Sequence, residues 1–193
     1  MLNMKPALII VDMLKDTFDK HPDAYISKTA LSFVPTINRL SSMFRQRELP
    51  VIFSCDSFLP EDFIFKGKMK PHSIRGTEGA QVIDQLERGP EDLISEKRRF
   101  SAFFKTDMDQ ILRTYHVDTV AVTGLSTHIC VLSTLLDAVA SDFHAILIKD
   151  CCAAHSPEIH EEIIKIYERT PFDPLFRITS ASDFIKEFFQ AGV

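Results

Sequence analysis

Hydrophobic residues occur along the chain in short runs, separated by segments in which apolar residues recur at helical spacing. Largely apolar runs occupy residues 7–11, 51–55, 119–123 and 145–149, and the first of them is apolar throughout. Runs of this length are typical of parallel strands that are buried on both faces. Residues 29–47 instead have apolar side chains every three or four positions, which predicts a helix with one buried face.

Weaker patterns complete the predicted architecture. Short strands are predicted at residues 92–95 and 175–178, and helices at residues 81–86, 106–115, 157–167 and 181–189, with Thr106 as the cap of the second of these helices. Strands that alternate with helices indicate a parallel sheet covered on both sides. We therefore predict an α/β fold, a three-layer α/β/α sandwich with a mainly parallel, Rossmann-like sheet of about six strands. We expect residues 1–193 to form a single domain.

Composition excludes several functional classes. The chain has 193 residues, of which 45% are hydrophobic and 25% charged, and its net charge is −5. A mildly acidic chain lacks the basic surface that nucleic acids or anionic membranes require. The four cysteines show no C-x-x-C spacing, so neither a disulfide framework nor a zinc site is predicted. The first apolar run is too short for a secretory signal, and we expect a cytoplasmic protein that acts on a small-molecule substrate.

Polar side chains follow several of the predicted strands. Asp12 and Lys97 come after the first and third strands, and Cys130 lies in the first turn of the helix after residues 119–123. A helix N-terminus carries partial positive charge, so this position predicts a lowered pKa for the Cys130 thiol. Each residue also has an ordinary interpretation, as a loop acid or helix cap, a solvated lysine and a core cysteine. Their convergence at one edge of the sheet depends on the strand order.

Four motifs resemble the isochorismatase-like cysteine hydrolases, which include nicotinamidases, N-carbamoylsarcosine amidases and ureidoacrylate-type amidohydrolases. They are ALIIVDM at residues 7–13, HSIRGTEGA at 72–80, EKRRFSAFFKTDMDQIL at 96–112 and VAVTGLSTHICV at 120–131. Four motifs in this order are more specific than any one of them. The resemblance covers most of the chain and implies a catalytic triad of Asp12, Lys97 and Cys130.

The resemblance also implies a mechanism. Asp12 would accept the thiol proton and return it to the leaving amine, while Cys130 would attack the carbonyl carbon of an amide or ureido group and form a thioester. Lys97 would stabilise the negative charge. A non-proline cis peptide between Leu125 and Ser126 would aim the backbone N–H groups of Ser126 and Cys130 at the oxyanion.

The chain departs from the nicotinamidases at the residues that resemble their metal site. Those enzymes have an Asp-x-His pair, whereas residues 56–58 here read Asp-Ser-Phe. Asp56 and His72 are weak remaining candidates, and two ligands are too few for a secure catalytic metal unless Glu61 or Asp62 contributes. We expect no bound metal and no other cofactor.

The long irregular segment at residues 57–79 is typical of a binding loop. Candidates for the substrate pocket are Phe18, Phe58, His72, Phe103 and His128. The aromatic residues among them also fit a core or subunit-interface role. Two other functions remain open, namely isochorismatase-type hydrolysis of a vinyl ether and a non-catalytic role for the fold. The resemblance further implies a homo-oligomer.

Overall fold

The computed structural model describes residues 4–190 and contains a six-stranded parallel sheet. Its strands are β1 (Pro6–Val11), β2 (Val51–Asp56), β3 (Leu93–Lys97), β4 (Thr119–Leu125), β5 (His144–Ala153) and β6 (Phe176–Thr179). They lie in the order β3-β2-β1-β4-β5-β6, and every neighbouring pair is parallel. The predicted parallel sheet of about six strands is confirmed.

Helices cover both faces of the sheet. They are α1 (Lys15–Lys20), α2 (Tyr25–Arg45), α3 (Met108–Thr114), α4 (Leu132–Ala140), α5 (Pro157–Tyr167) and α6 (Ala181–Ile185), the last continued by a π-helical turn at Lys186–Gln190. One hydrophobic cluster lies under α2 and α6, and the other lies under α3, α4 and α5. Leu8 and Ile10 of β1 belong to the first cluster, whereas Ala7 and Ile9 belong to the second. The alternation explains the continuous apolar run and confirms the three-layer fold.

Three local predictions were wrong: the helix at residues 81–86, the start of the helix at Thr106 and the end of the third strand. Residues 81–86 form turns instead of a helix, because their backbone pairs with the segment after β1: Ile83 N–H donates to Met13 O, and Gln81 O accepts from Lys15 N–H. The helix predicted from Thr106 begins at Met108, and the Thr106 hydroxyl donates to the Ala102 carbonyl while accepting from the Met108 N–H at 3.3 Å.

The third strand is longer than predicted. It ends at Lys97, so the lysine is its last residue rather than the residue after it. Helix α1 was not predicted at all, and it has only six residues.

The strand order reverses between β1 and β4. From β1 the chain continues outward through β2 and β3, and then returns to β4 on the other side. Such a reversal leaves a crevice beyond the carboxyl ends of the two strands, where ligands bind in doubly wound sheets. Gly124 permits the close approach here: its φ is +103°, and a Cβ would lie 2.1 Å from the Val11 carbonyl oxygen.

Within residues 4–190, no helix has both the length and the apolar character needed to cross a membrane.

Candidate active site

Charged residues from three adjacent strands meet at the carboxyl edge of the sheet. Asp12 follows β1, whereas Asp56 and Lys97 end β2 and β3 and are paired in the parallel register. The Lys97 ammonium donates to Asp12 Oδ2 at 2.8 Å and also to Asp56 Oδ1. The backbone N–H of Asp56 donates to Asp12 Oδ1 at 2.8 Å. The Lys97 side chain is fully buried, so both ion pairs are sheltered from water.

Cys130 reaches the same point from the other side of the crevice. It lies in a π-helical turn, Thr127–Val131, that follows β4 and leads directly into α4. Its thiol faces the carboxylate of Asp12. The Cys130 sulfur and one carboxylate oxygen each of Asp12 and Asp56 all lie within 4.8 Å of one another. The structure thus brings together the three residues predicted for catalysis and adds Asp56 as a fourth.

The electrostatics of Cys130 differ from the sequence-based expectation. Burial raises the pKa of the Cys130 thiol well above its usual value, and the charges of Asp12 and Asp56 act in the same direction. Lys97 lowers it, but one ammonium faces two carboxylates. The prediction of a lowered pKa was wrong, because it considered the helix N-terminus alone. A raised pKa favours the protonated thiol at rest, with the Asp12 carboxylate beside it.

Lys97 and Asp56 also have shifted titrations. Burial opposes the charge of Lys97, yet the charges of Asp12, Cys130 and Asp56 outweigh burial and raise the pKa of Lys97. Burial raises the pKa of Asp56 to about 7, and the charge of Asp12 adds to this effect, whereas Lys97 opposes it. Lys97 is thus a fixed cation, and Asp56 titrates near neutral pH.

The turn before Cys130 has an unusual backbone. The peptide bond between Leu125 and Ser126 is cis, at the position that the family resemblance implied. Ser126 precedes the π-helical turn, and its carbonyl accepts from the N–H of Val131 at 3.3 Å. The Thr127 hydroxyl lies 2.8 Å from His160 Nδ1, which attaches this turn to α5.

A cavity of about 410 Å³ opens onto Asp12, Asp56 and Cys130, with the Lys97 side chain buried behind them. Its walls are largely apolar, with a group of polar and ionisable side chains that includes both acids and bases. The lining residues are Asp12, Asp16, Thr17, Lys20, His21, Ala24, Ile26, Asp56, Phe58, Ile64, Met69, His72, Phe100, Leu125, Ser126, Ile129, Cys130 and His155. This volume suits a small organic molecule.

The predicted pocket residues divide into two groups. Phe58 and His72 line the cavity. The structure does not place Phe18, Phe103 or His128 on its wall. Phe18 points into the hydrophobic cluster under α2, and the Phe103 ring packs against Phe143 at 5.9 Å on the opposite face of the sheet.

His128 lies behind the wall, with its ring 5.3 Å from that of His155. Burial lowers the pKa of His128, and His155 contributes to this shift. His155 lines the cavity, although no pattern in the sequence predicts a role for it.

Asp16 is another lining residue that the sequence analysis missed. Its carboxylate accepts from the Ser73 N–H at 2.7 Å and from the Lys20 ammonium at 2.8 Å. It therefore attaches the long loop after β2 to α1. The sequence signal for this contact was the HSIRGTEGA motif, which contains Ser73. The motif alone does not predict the contact with α1, because that contact depends on how the long loop folds back.

The residues considered for a metal site do not fit one. His72 Nδ1 lies 2.9 Å from the Lys70 carbonyl oxygen. The buried Phe58 ring packs against the His72 ring, with the ring centroids 5.4 Å apart. Asp62 forms an ion pair with Arg98, and the Glu61 side chain is exposed. In residues 4–190 one group of three possible donors was found, Asp12 with Asp56 and Cys130. Both of its carboxylates are already bonded to the Lys97 ammonium.

Comparison with known proteins shows the family of the chain. The sequence profile of the isochorismatase domain matches residues 6–175. The chain belongs to the isochorismatase family. A protein from Arabidopsis thaliana named "Probable inactive nicotinamidase" is 33% identical over 164 residues, which are 80% of this chain and 83% of the relative.

Two solved structures of family amidases superimpose on most of the chain. N-carbamoylsarcosine amidase from Thermoplasma acidophilum is 30% identical, with a TM-score of 0.78 over 92% of this chain and 97% of its own. The nicotinamidase/pyrazinamidase from Bacillus subtilis is 27% identical, with a TM-score of 0.77 over 92% of this chain and 100% of its own. The protein is a hydrolase of the isochorismatase family, with amidases among its relatives.

Proposed function

We propose that this isochorismatase-family protein hydrolyses the C–N bond of a small amide or ureido compound through a thioester on Cys130. The observation that carries the proposal is the position of Asp12 at the base of the cavity, where its carboxylate accepts from the Lys97 ammonium and lies within 4.8 Å of the Cys130 sulfur. A base that lies beside both its nucleophile and a fixed cation is the arrangement that activates a thiol of raised pKa.

The first half of the reaction forms the thioester. Asp12 takes the thiol proton as the Cys130 sulfur attacks the substrate carbonyl carbon, so that a free thiolate never has to accumulate. The carbonyl oxygen becomes an oxyanion, for which the backbone N–H groups of Ser126 and Cys130 are the proposed donors. When the C–N bond breaks, Asp12 returns its proton to the departing nitrogen. Lys97 holds the Asp12 carboxyl group in place throughout.

The second half hydrolyses the thioester. Water enters the position of the departed amine, Asp12 accepts a proton from it, and the resulting hydroxide attacks the same carbonyl carbon. The C–S bond then breaks, and the proton on Asp12 returns to the Cys130 sulfur. No step uses a metal or other cofactor, in keeping with a donor set that is occupied by Lys97.

The cavity restricts the substrate to a small molecule. Phe58, Phe100 and Ile129 supply apolar walls near Cys130, and His72 and His155 add hydrogen-bonding groups. Such a lining suits a flat or apolar acyl group with one or two polar substituents. The acyl group therefore occupies the cavity, while the scissile amide lies over Cys130.

Ammonia release from a panel of primary amides and ureido acids tests the proposal. We expect turnover by the wild type, loss of at least a thousandfold in Cys130→Ala, and near-normal turnover in Cys151→Ala. Cys151 is a suitable control because it is another fully buried thiol, but it belongs to the hydrophobic cluster under α2.

Two other results would replace the proposal. Turnover of isochorismate that persists in Cys130→Ala would identify a vinyl ether hydrolase. Absence of turnover on amides, ureido acids and isochorismate would favour a non-catalytic member. The Arabidopsis thaliana relative is itself named a "Probable inactive nicotinamidase". The complete set of Asp12, Lys97 and Cys130 argues against that outcome.

A further inference from the structure

The Lys97 ammonium lies between two carboxylates that have unequal surroundings. Asp12 accepts from Lys97 and from the Asp56 backbone N–H, one bond to each carboxylate oxygen. For Asp56, the described hydrogen bond to its carboxylate comes from Lys97 alone. Hydrogen bonds to a carboxylate favour its charged form. A proton shared by this pair of acids is therefore held by Asp56, which leaves Asp12 as the base.

The charge of the buried group supports the same assignment. With both acids ionised, two negative charges face one ammonium, and the group carries a net charge of −1. With Asp56 protonated, Asp12 and Lys97 balance each other. Transfer of the thiol proton to Asp12 then moves the negative charge to sulfur without changing the total. An additional carboxylate charge would oppose both the thiolate and the oxyanion, because little water is present to screen it.

We propose that Asp56 is a positioning residue that is active in its protonated form, where it holds Lys97 and keeps the Asp12–Lys97–Cys130 group electrically balanced. The inference rests on the proposed thioester mechanism, to which it adds a requirement for one extra proton. The raised pKa of Asp56, about 7, agrees with a proton held near neutral pH. Alkaline loss of this proton would place a second carboxylate charge beside the developing oxyanion and so slow the reaction with substrate.

Other titratable groups surround Asp56 and must be separated from it by experiment. They are Asp12 after β1, Lys97 on β3, Cys130 after β4 and Cys55 on its own strand, together with Asp16, Lys20, His21, His72 and His155 in the cavity wall. A pH profile of the wild type alone is therefore insufficient, and a variant of Asp56 is needed.

Asp56→Asn removes the titration while keeping the shape of the side chain and an oxygen that accepts from Lys97. We expect kcat/KM of the wild type to fall about tenfold per pH unit above pH 7, whereas the fall in Asp56→Asn begins at least one pH unit higher, whatever its absolute rate. Glu96→Gln is the matched control, since Glu96 precedes Lys97 on β3 but is half-exposed and pairs with Arg75. It should keep the wild-type profile.

The proposal is overturned if the alkaline fall stays at the same pH in Asp56→Asn, which would assign it to a cavity histidine. It is equally overturned if wild-type activity stays constant or rises above pH 7. A second measurement needs neither substrate nor variant: the ¹³C carboxyl resonance of Asp56 in the wild type should titrate near pH 7. Titration near the ordinary aspartate value, about 4, would refute the extra proton even if the thioester mechanism holds.

Discussion

Replacement of Lys97 by methionine should destabilise the protein in a manner that depends on pH. Methionine keeps most of the side-chain volume but removes the ammonium that bonds to Asp12 and Asp56. Lys97 is fully buried and the two carboxylates are nearly so, with 10% and 9% of their side chains exposed. Loss of one partner from a buried ion pair costs about 3 to 5 kcal/mol, because the remaining charge is left uncompensated.

The sign of the pH dependence follows from the acids that remain. Without Lys97, the pKa of Asp56 loses the one influence that lowers it and rises further. An acid whose pKa is raised in the folded state stabilises the fold at low pH, and this stability is lost as the pH rises through the folded value. The destabilisation of Lys97→Met should therefore be small near pH 4 and approach its full size above pH 7.

Urea unfolding at several pH values, followed by circular dichroism, measures this effect. Lys186→Met is the control, because it removes a lysine that is exposed and bonded to Asp183 at 3.0 Å. The control should change the free energy of unfolding by less than about 0.5 kcal/mol. A loss below about 1 kcal/mol for Lys97→Met at pH 8, or one that is the same at pH 4, would refute the account of the buried charges.

Two further predictions concern the turn and the thiol. Gly124→Ala should lower the free energy of unfolding by about 3 kcal/mol and abolish activity, because a Cβ would collide with the Val11 carbonyl beneath Asp12. Gly67→Ala is the control and should be nearly neutral, since a Cβ there meets open space. Equal effects of the two substitutions in urea unfolding would contradict this prediction. The rate of Cys130 alkylation by iodoacetamide should keep rising with pH beyond pH 9, since burial and two carboxylates raise the pKa of the thiol; a plateau beginning near pH 7 would contradict this.

The sequence contained enough information to predict the sheet and three residues of the site. The apolar run of β1, buried on both faces, identifies a central parallel strand. Parallel strands share a carboxyl edge, so Asp12, Lys97 and Cys130 were reasonable candidates there. Which candidates meet depends on the order of the strands, and this order arises from long-range packing rather than from any local pattern.

The role of Asp56 shows what local patterns omit. The sequence placed it at the end of a strand, but its contact with Lys97 requires β2 to lie between β1 and β3. The pKa of Cys130 depends on the same contact, since its direction follows from the number of carboxylates near the thiol. The prediction that Phe103 lines the substrate pocket differs from the structure for a similar reason. An aromatic residue in a loop packs against whichever face of the sheet the loop covers, and Phe103 packs against Phe143.

The most direct test of the central claim is to stop the reaction in acid during the first turnovers and measure the mass of the intact protein. With an amide substrate that the wild type hydrolyses, the account predicts a mass increase equal to the acyl group, located by peptide mapping on Cys130. The same experiment on Cys151→Ala should give the same adduct. Ammonia release without an adduct on Cys130, continuing in Cys130→Ala, would contradict the thioester mechanism.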